Sequence, residues 1–242
     1  MGTPQIGTLN EKPLHEALKQ WYAVPRDMFE VPVDGSVVDI VRDDLLIEIQ
    51  TKNFSAIKRK LEKLVVNHPV RLVYPIPGEK WITKKADDGS TVSRRRSPKR
   101  GTYEQIFYEL VRLPELLKNP NFTLELLLIE EEEVRRFDGV RGWRRGGWVT
   151  EERWLLRVID RRILKSPADM LTFIPTTLAE PFNVSDLAAT TKINRTLAQK
   201  MVYCLRTMDC LAPAGKKVNA ILYVRLTTGA NSTESRYKEK YK

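Results

Sequence analysis

Apolar residues recur at helical spacing over residues 10–22, where Leu14, Ala17, Leu18 and Trp21 form one stripe. Asn10 stands at the N-cap position and Pro13 in the first turn. Residues 30–41 and 45–51 are apolar runs joined by Arg42-Asp43-Asp44, which predicts two strands and a tight turn. Residues 54–67 return to helical spacing, with Phe54, Ile57, Leu61, Leu64 and Val65 on one face. Residues 70–74 predict a further strand, ended by Pro75 and Pro77. The order helix, hairpin, helix, strand predicts an α/β (α+β) core whose last strand lies parallel to its predecessor through a right-handed crossover.

Residues 79–96 read as a basic hairpin about Asp87-Asp88-Gly89-Ser90, an insertion near 77–101. Residues 103–118 predict a helix capped by Thr102, and residues 122–129 a buried strand before the acidic run Glu130 to Glu133. Residues 154–164 read as a strand or a short helix. The pattern changes near residues 165–176. Beyond it come a short helix from Pro167, a second capped by Ser185, a turn at 192–194 and a long helix over 195–208. A hairpin about Gly215, Lys216 and Lys217 follows. Three helices and a basic two-stranded hairpin make a winged helix-turn-helix. The domains expected are therefore 1–165, 166–228, and a flexible polar tail over 229–242.

Within the first strand pair, Asp39 and Glu48 interrupt apolar runs. A carboxylate there is costly unless a positive group meets it. Glu48 and Gln50, two apart on a strand, share a face, while Ile47 and Ile49 take the other. A short turn brings Asp39 beside them. Two carboxylates with water and phosphate suit Mg²⁺ or Mn²⁺, which polarises a phosphodiester and acidifies an attacking water.

Composition narrows the classes. Two cysteines (Cys204 and Cys210) and two histidines (His15 and His68) are not read as a Cys/His zinc site and fit a reducing cytosol, so a cytoplasmic location is expected. No apolar run reaches the ~20 residues of a membrane span, and the first eight residues lack a signal-peptide pattern. The formal net charge is +10, with +5 in residues 77–101 and +6 in residues 176–242. Such blocks are the footprint of a polyanion binder.

Asp39, followed nine positions on by Glu48-Ile49-Gln50 on a hairpin after a first helix, resembles the PD-(D/E)xK, restriction-endonuclease-like superfamily. The resemblance covers about residues 8–76. It implies a mixed sheet flanked by helices, Asp39 and Glu48 as metal ligands, and Gln50 where the family usually places lysine. A positive group is then expected from the next helix, from Lys58 or Lys60, with Lys60 favoured. The family often adds an acid from the first helix. Glu11, three and seven positions before Leu14 and Leu18, suits that role better than Glu16.

These expectations describe a metal-dependent nuclease cutting DNA, read as duplex, with catalytic residues Asp39, Glu48, Gln50, Lys60 and Glu11. Lys84, Lys85, Arg94, Arg95, Arg96, Lys99 and Arg100 would clamp phosphate, and Lys216 and Lys217 would do so from the wing. Asn194, Arg195 and Gln199 would enter the major groove. Trp143, Arg144, Arg145 and Trp148 suit either stacking on unpaired bases or interior packing. A homodimer is compatible with this pattern. The alternatives are a catalytically inactive nuclease-fold regulator or complex subunit, for which Gln50 argues, and an RNA-directed protein.

Overall fold

The computed structural model describes residues 13–141 and 143–226. Asn10, Glu11 and the 229–242 tail lie outside the described residues. The chain divides into two compact units at Lys165/Ser166.

In the first unit, α1 (Pro13–Tyr22) buries Leu14, Leu18 and Tyr22, which repeat every fourth residue on one line. Trp21, expected in the stripe, is 44% exposed because it falls one step off that line. The run read as one strand over 30–41 is two, β1 (Met28–Val33) and β2 (Ser36–Arg42). Asp34 and Gly35 both adopt positive φ between them, as a tight hairpin turn of this hand requires. β3 (Leu45–Ile49) pairs antiparallel with β2 from Arg42↔Leu45 to Ile40↔Ile47.

After α2 (Phe54–Leu64), β4 (Val70–Lys85) lies parallel to β3, with Glu48 opposite Leu72. β4 does not stop at its prolines. β3 pairs with it only as far as Val73, so Pro75 and Pro77 sit where one edge of β4 has no ladder to break. The register shifts at Gly78, where a Cβ would come within 2.7 Å of Leu128 Cγ. β5 (Thr91–Arg96) pairs with β4, so the basic hairpin continues the main sheet.

Residues 103–118 are not one helix. Two 3₁₀ turns, Tyr103–Ile106 and Pro114–Lys118, flank the single turn α3 (Phe107–Leu110), and Pro114 prevents continuation. β6 (Phe122–Phe137) runs straight through the acidic stretch, and 148–164 is strand, β7 (Trp148–Leu164). The result is a seven-stranded mixed sheet in the order β1-β2-β3-β4-β6-β7, with β5 on β4. One core joins Leu14 and Leu18 of α1 to Ile40, Ile47, Val73, Leu127 and Ile129. Phe54, Leu61 and Leu64 of α2 are also buried, Phe54 edge-on to Tyr74 at 5.1 Å between centroids. Tyr22 Oη donates to the fully buried Glu125 at 2.5 Å and accepts from Arg71, pinning the end of α1 to the sheet.

The second unit holds α4 (Pro167–Met170), α5 (Val184–Thr191), α6 (Arg195–Thr207) and a hairpin of β8 (Leu211–Lys217) and β9 (Ala220–Arg225). Asn183, not Ser185, caps α5: its Oδ1 accepts from Ser185 N and Asp186 N, while Asp186 reaches back to Asn183 N. The hairpin turns at Val218 and Asn219; Lys216 and Lys217 lie on β8 opposite Ile221 and Ala220. Leu187, Leu197, Met201, Leu205 and Tyr223 are buried. Among the described residues, no helix is long and apolar enough to cross a membrane.

Candidate functional site

β2 and β3 part company at Asp39. Their backbone pairing ends at Ile40↔Ile47, and the next inward amide, Ile49 N, donates to Asp39 Oδ2 at 2.7 Å. A side chain thus replaces a ladder bond, and the strands open at this point. Glu48 lies beside it, 4% exposed. Lys60 of α2 approaches Glu48 Oε1 to 2.5 Å and donates to Val37 O. Glu48 Oε1 is buried, and among the described residues Lys60 is the cation that meets it, in a tight ion pair. Burial first, and then the Asp39 charge, raise the Glu48 carboxyl to about 7 against the pull of Lys60. At Asp39 burial also works upward, but His15, the Ile49 amide and Lys60 outweigh it and hold the carboxyl below its ordinary value.

His15 is the residue sequence reasoning missed. Its Nε2 lies 3.3 Å from Asp39 Oδ2. It follows Leu14 of the buried stripe, a position on the margin of the inward face, and that is the signal available in the sequence.

Lys58 forms an exposed pair with Glu62 at 3.7 Å, so of the two lysines only Lys60 reaches the carboxylates. Gln50 Nε2 donates to Lys52 O and to Asn53 O. Phe54 N, at the start of α2, donates to Glu109 Oε2 at 2.9 Å. Gln50 and Glu109 together fix where α2 begins, and α2 carries Lys60 back over Glu48. Among the described residues no three His, Cys, Asp or Glu side chains converge as a metal cage. The site offers two carboxylates, one with a buried oxygen met by the Lys60 ammonium, and a hard divalent cation that took the place of that ammonium would find two oxygen ligands and complete its shell with water and phosphate.

Three of the seven residues of the expected phosphate clamp are matched by acids. Arg94 pairs with Glu132 at 2.9 Å and lies over the Trp81 ring. Arg96 and Arg100 both meet Glu79, and Lys80 meets Glu131 and Glu133 at 2.8 and 2.9 Å. Lys84 sits 4.4 Å above the Trp148 ring. Among the described residues Arg95, Lys99 and Lys85 form no ion pair with a carboxylate. In the second unit, Arg195 and Gln199 are exposed on the first turns of α6. Asn194 Oδ1 caps the same helix by accepting from Leu197 N at 2.9 Å.

A family model described as "Domain of unknown function (DUF8091)" matches residues 12–165. The chain belongs to the DUF8091 family. The matched DUF8091 span ends at the boundary between the two units and contains Asp39, Glu48, Gln50 and Lys60. A Treponema pallidum (strain Nichols) protein, described as an uncharacterized protein, is 30% identical over 236 residues, which is 97% of this chain and 93% of that relative. No solved structure matches.

Proposed function

We propose that this DUF8091 protein is a Mg²⁺- or Mn²⁺-dependent nuclease of the PD-(D/E)xK kind that hydrolyses DNA phosphodiesters. The observation that carries this reading is the buried Asp39–Glu48 pair at the parting of β2 and β3, with Lys60 delivered onto it from α2. Asp39 and Glu48 would hold the metal, which supplies a polarised phosphate and an acidified water. His15 and the Ile49 amide orient Asp39. Gln50, with Nε2 committed to the loop, acts through its Oε1 as an acceptor for the attacking water. Lys60 releases Glu48 and turns to the charge that develops on the phosphoryl oxygens. α4–α6 with β8–β9 read as a winged helix-turn-helix that docks duplex, Arg195 and Gln199 toward base edges and Lys216 and Lys217 toward phosphate.

Purified protein incubated with plasmid should nick it in Mg²⁺ or Mn²⁺ and not in EDTA. Asp39→Asn keeps a carbonyl for Ile49 N but loses the charge; it should abolish cleavage and leave duplex binding intact. Cleavage by that variant at the wild-type rate rejects the assignment. The engagement of Gln50 Nε2 by the loop favours a second reading, an inactive nuclease fold that only binds DNA. Wild-type protein that binds duplex but shows no metal-dependent nicking selects it.

A further inference from the structure

Two hollows adjoin on the first unit and share one arginine. The first, of 510 Å³, lies between the β4–β5 hairpin and β6. Lys80, Arg95, Lys99, Arg100, Arg135 and Arg145 line it against a single carboxylate, Glu133. Burial raises the Glu133 carboxyl, but bonds from Lys80, Thr150 and Arg135 bring it down to about 2, so its charge is fixed at neutral pH. Of the six cations, Lys80 and Arg100 also meet Glu131 and Glu79 outside the lining, and Arg135 and Arg145 share Glu133, whereas Arg95 and Lys99 form no ion pair with a carboxylate among the described residues and supply the hollow's unmatched charge.

The second hollow, of 430 Å³, opens beside the β6–β7 turn and is lined by Trp143, Arg144, Arg145, Trp148 and Thr150. Trp148 is held in place, edge-on to Phe137 at 5.7 Å and beneath Lys84. Trp143 is 76% exposed, with the Arg144 guanidinium 5.0 Å from its ring centroid. Arg145 belongs to both hollows: its NH1 donates to Thr150 Oγ1 at 3.1 Å and lies 3.6 Å from Glu133 Oε1.

An open indole face next to a cationic hollow matches a nucleotide, flat base beside phosphate. A duplex hides its base faces in its own stack, and an acidic peptide has no use for the indole. We propose that this surface binds single-stranded nucleic acid, stacking an unpaired base on Trp143 and seating the neighbouring phosphate among Arg145, Arg95 and Lys99. The proposal deepens the nuclease reading by naming the strand state presented to this unit, and it rests on that reading for the polymer class.

The test is fluorescence anisotropy of the full chain in EDTA at one salt concentration, with labelled oligo-dT, oligo-U, a duplex of equal length and poly-glutamate. Trp143→Ala should weaken single-strand binding by about tenfold, within the range of one base–aromatic stack, and Trp143→Phe should keep most of the affinity. Arg145→Ala and Lys99→Ala should also weaken it. Single-strand binding of oligo-dT or of oligo-U supports the site. The proposal falls if Trp143→Ala binds single strands like wild type, if it weakens duplex binding equally, or if poly-glutamate binds with the same Trp143 dependence. Because EDTA removes metal chemistry, failure to cleave plasmid leaves this result unaffected, and the two readings fail separately.

Discussion

Glu48 and Asp39 respond to one shared environment in opposite directions. Glu48, raised from an ordinary 4.5 to about 7, keeps in the folded protein a proton that the unfolded chain has already released. Between those pH values the folded state binds more protons, so this group makes stability fall as pH rises, and above about 7 its full cost remains. Glu48→Gln removes that cost. In EDTA, its gain in melting temperature over wild type should grow from about pH 5 to about pH 7 and then level off, following the linkage. A gain constant across the range would show that Glu48 is not so placed. Asp39, held below its ordinary value, stays ionised throughout. A divalent ion at this pair must displace the Glu48 proton, so metal affinity should rise with pH over the same window.

At the scale of elements, alternation along β3 is legible in the sequence. Ile47 and Ile49 take the core side and Glu48 the other, and helical spacing along 54–64 carries Lys60 to Glu48. His15 is not, because its contact exists only once α1 lies against the sheet. The course of β6 is misread for a related reason. Four consecutive acids look like the end of a strand, but Glu131 and Glu133 turn to Lys80 while Glu130 and Glu132 turn to Arg157 and Arg94. Cations from β4, β5 and β7 neutralise what the sequence shows in isolation. The β6–β7 turn depends on glycine. Gly147 has φ +83, and a Cβ there would sit 2.6 Å from the Phe137 ring. Gly147→Ala should destabilise the protein by about 1–3 kcal/mol, read from denaturant unfolding, and weaken single-strand binding by disturbing Phe137 under Trp148. An unchanged midpoint would show that the turn tolerates the side chain.

Over the whole molecule, the net charge of +10 overstates the field at the β4–β5 hairpin and not at β8. Part of the hairpin's excess is spent on the β6 acids, which Lys80 and Arg94 meet, whereas Lys216 and Lys217 are exposed. The duplex affinity of the Lys216→Ala/Lys217→Ala double variant should fall, and the slope of log affinity against log salt should drop by about 2, close to one unit per lost phosphate contact. Arg94→Ala, removing a cation already paired with Glu132, should leave that slope nearly unchanged. Equal slopes for the double variant and wild type would remove β8 from the duplex-binding surface.

Lys60 comes to Glu48 from a helix, twelve residues further along the chain. A pattern search that requires acid, spacer and lysine on one strand finds the third letter misspelt here and passes on. Under the proposed function the signature is complete, but it is written across two elements, and its last letter can be recognised only by the turn of α2 that returns it to the sheet. In other chains with glutamine at that position, the missing lysine is to be sought one helix downstream.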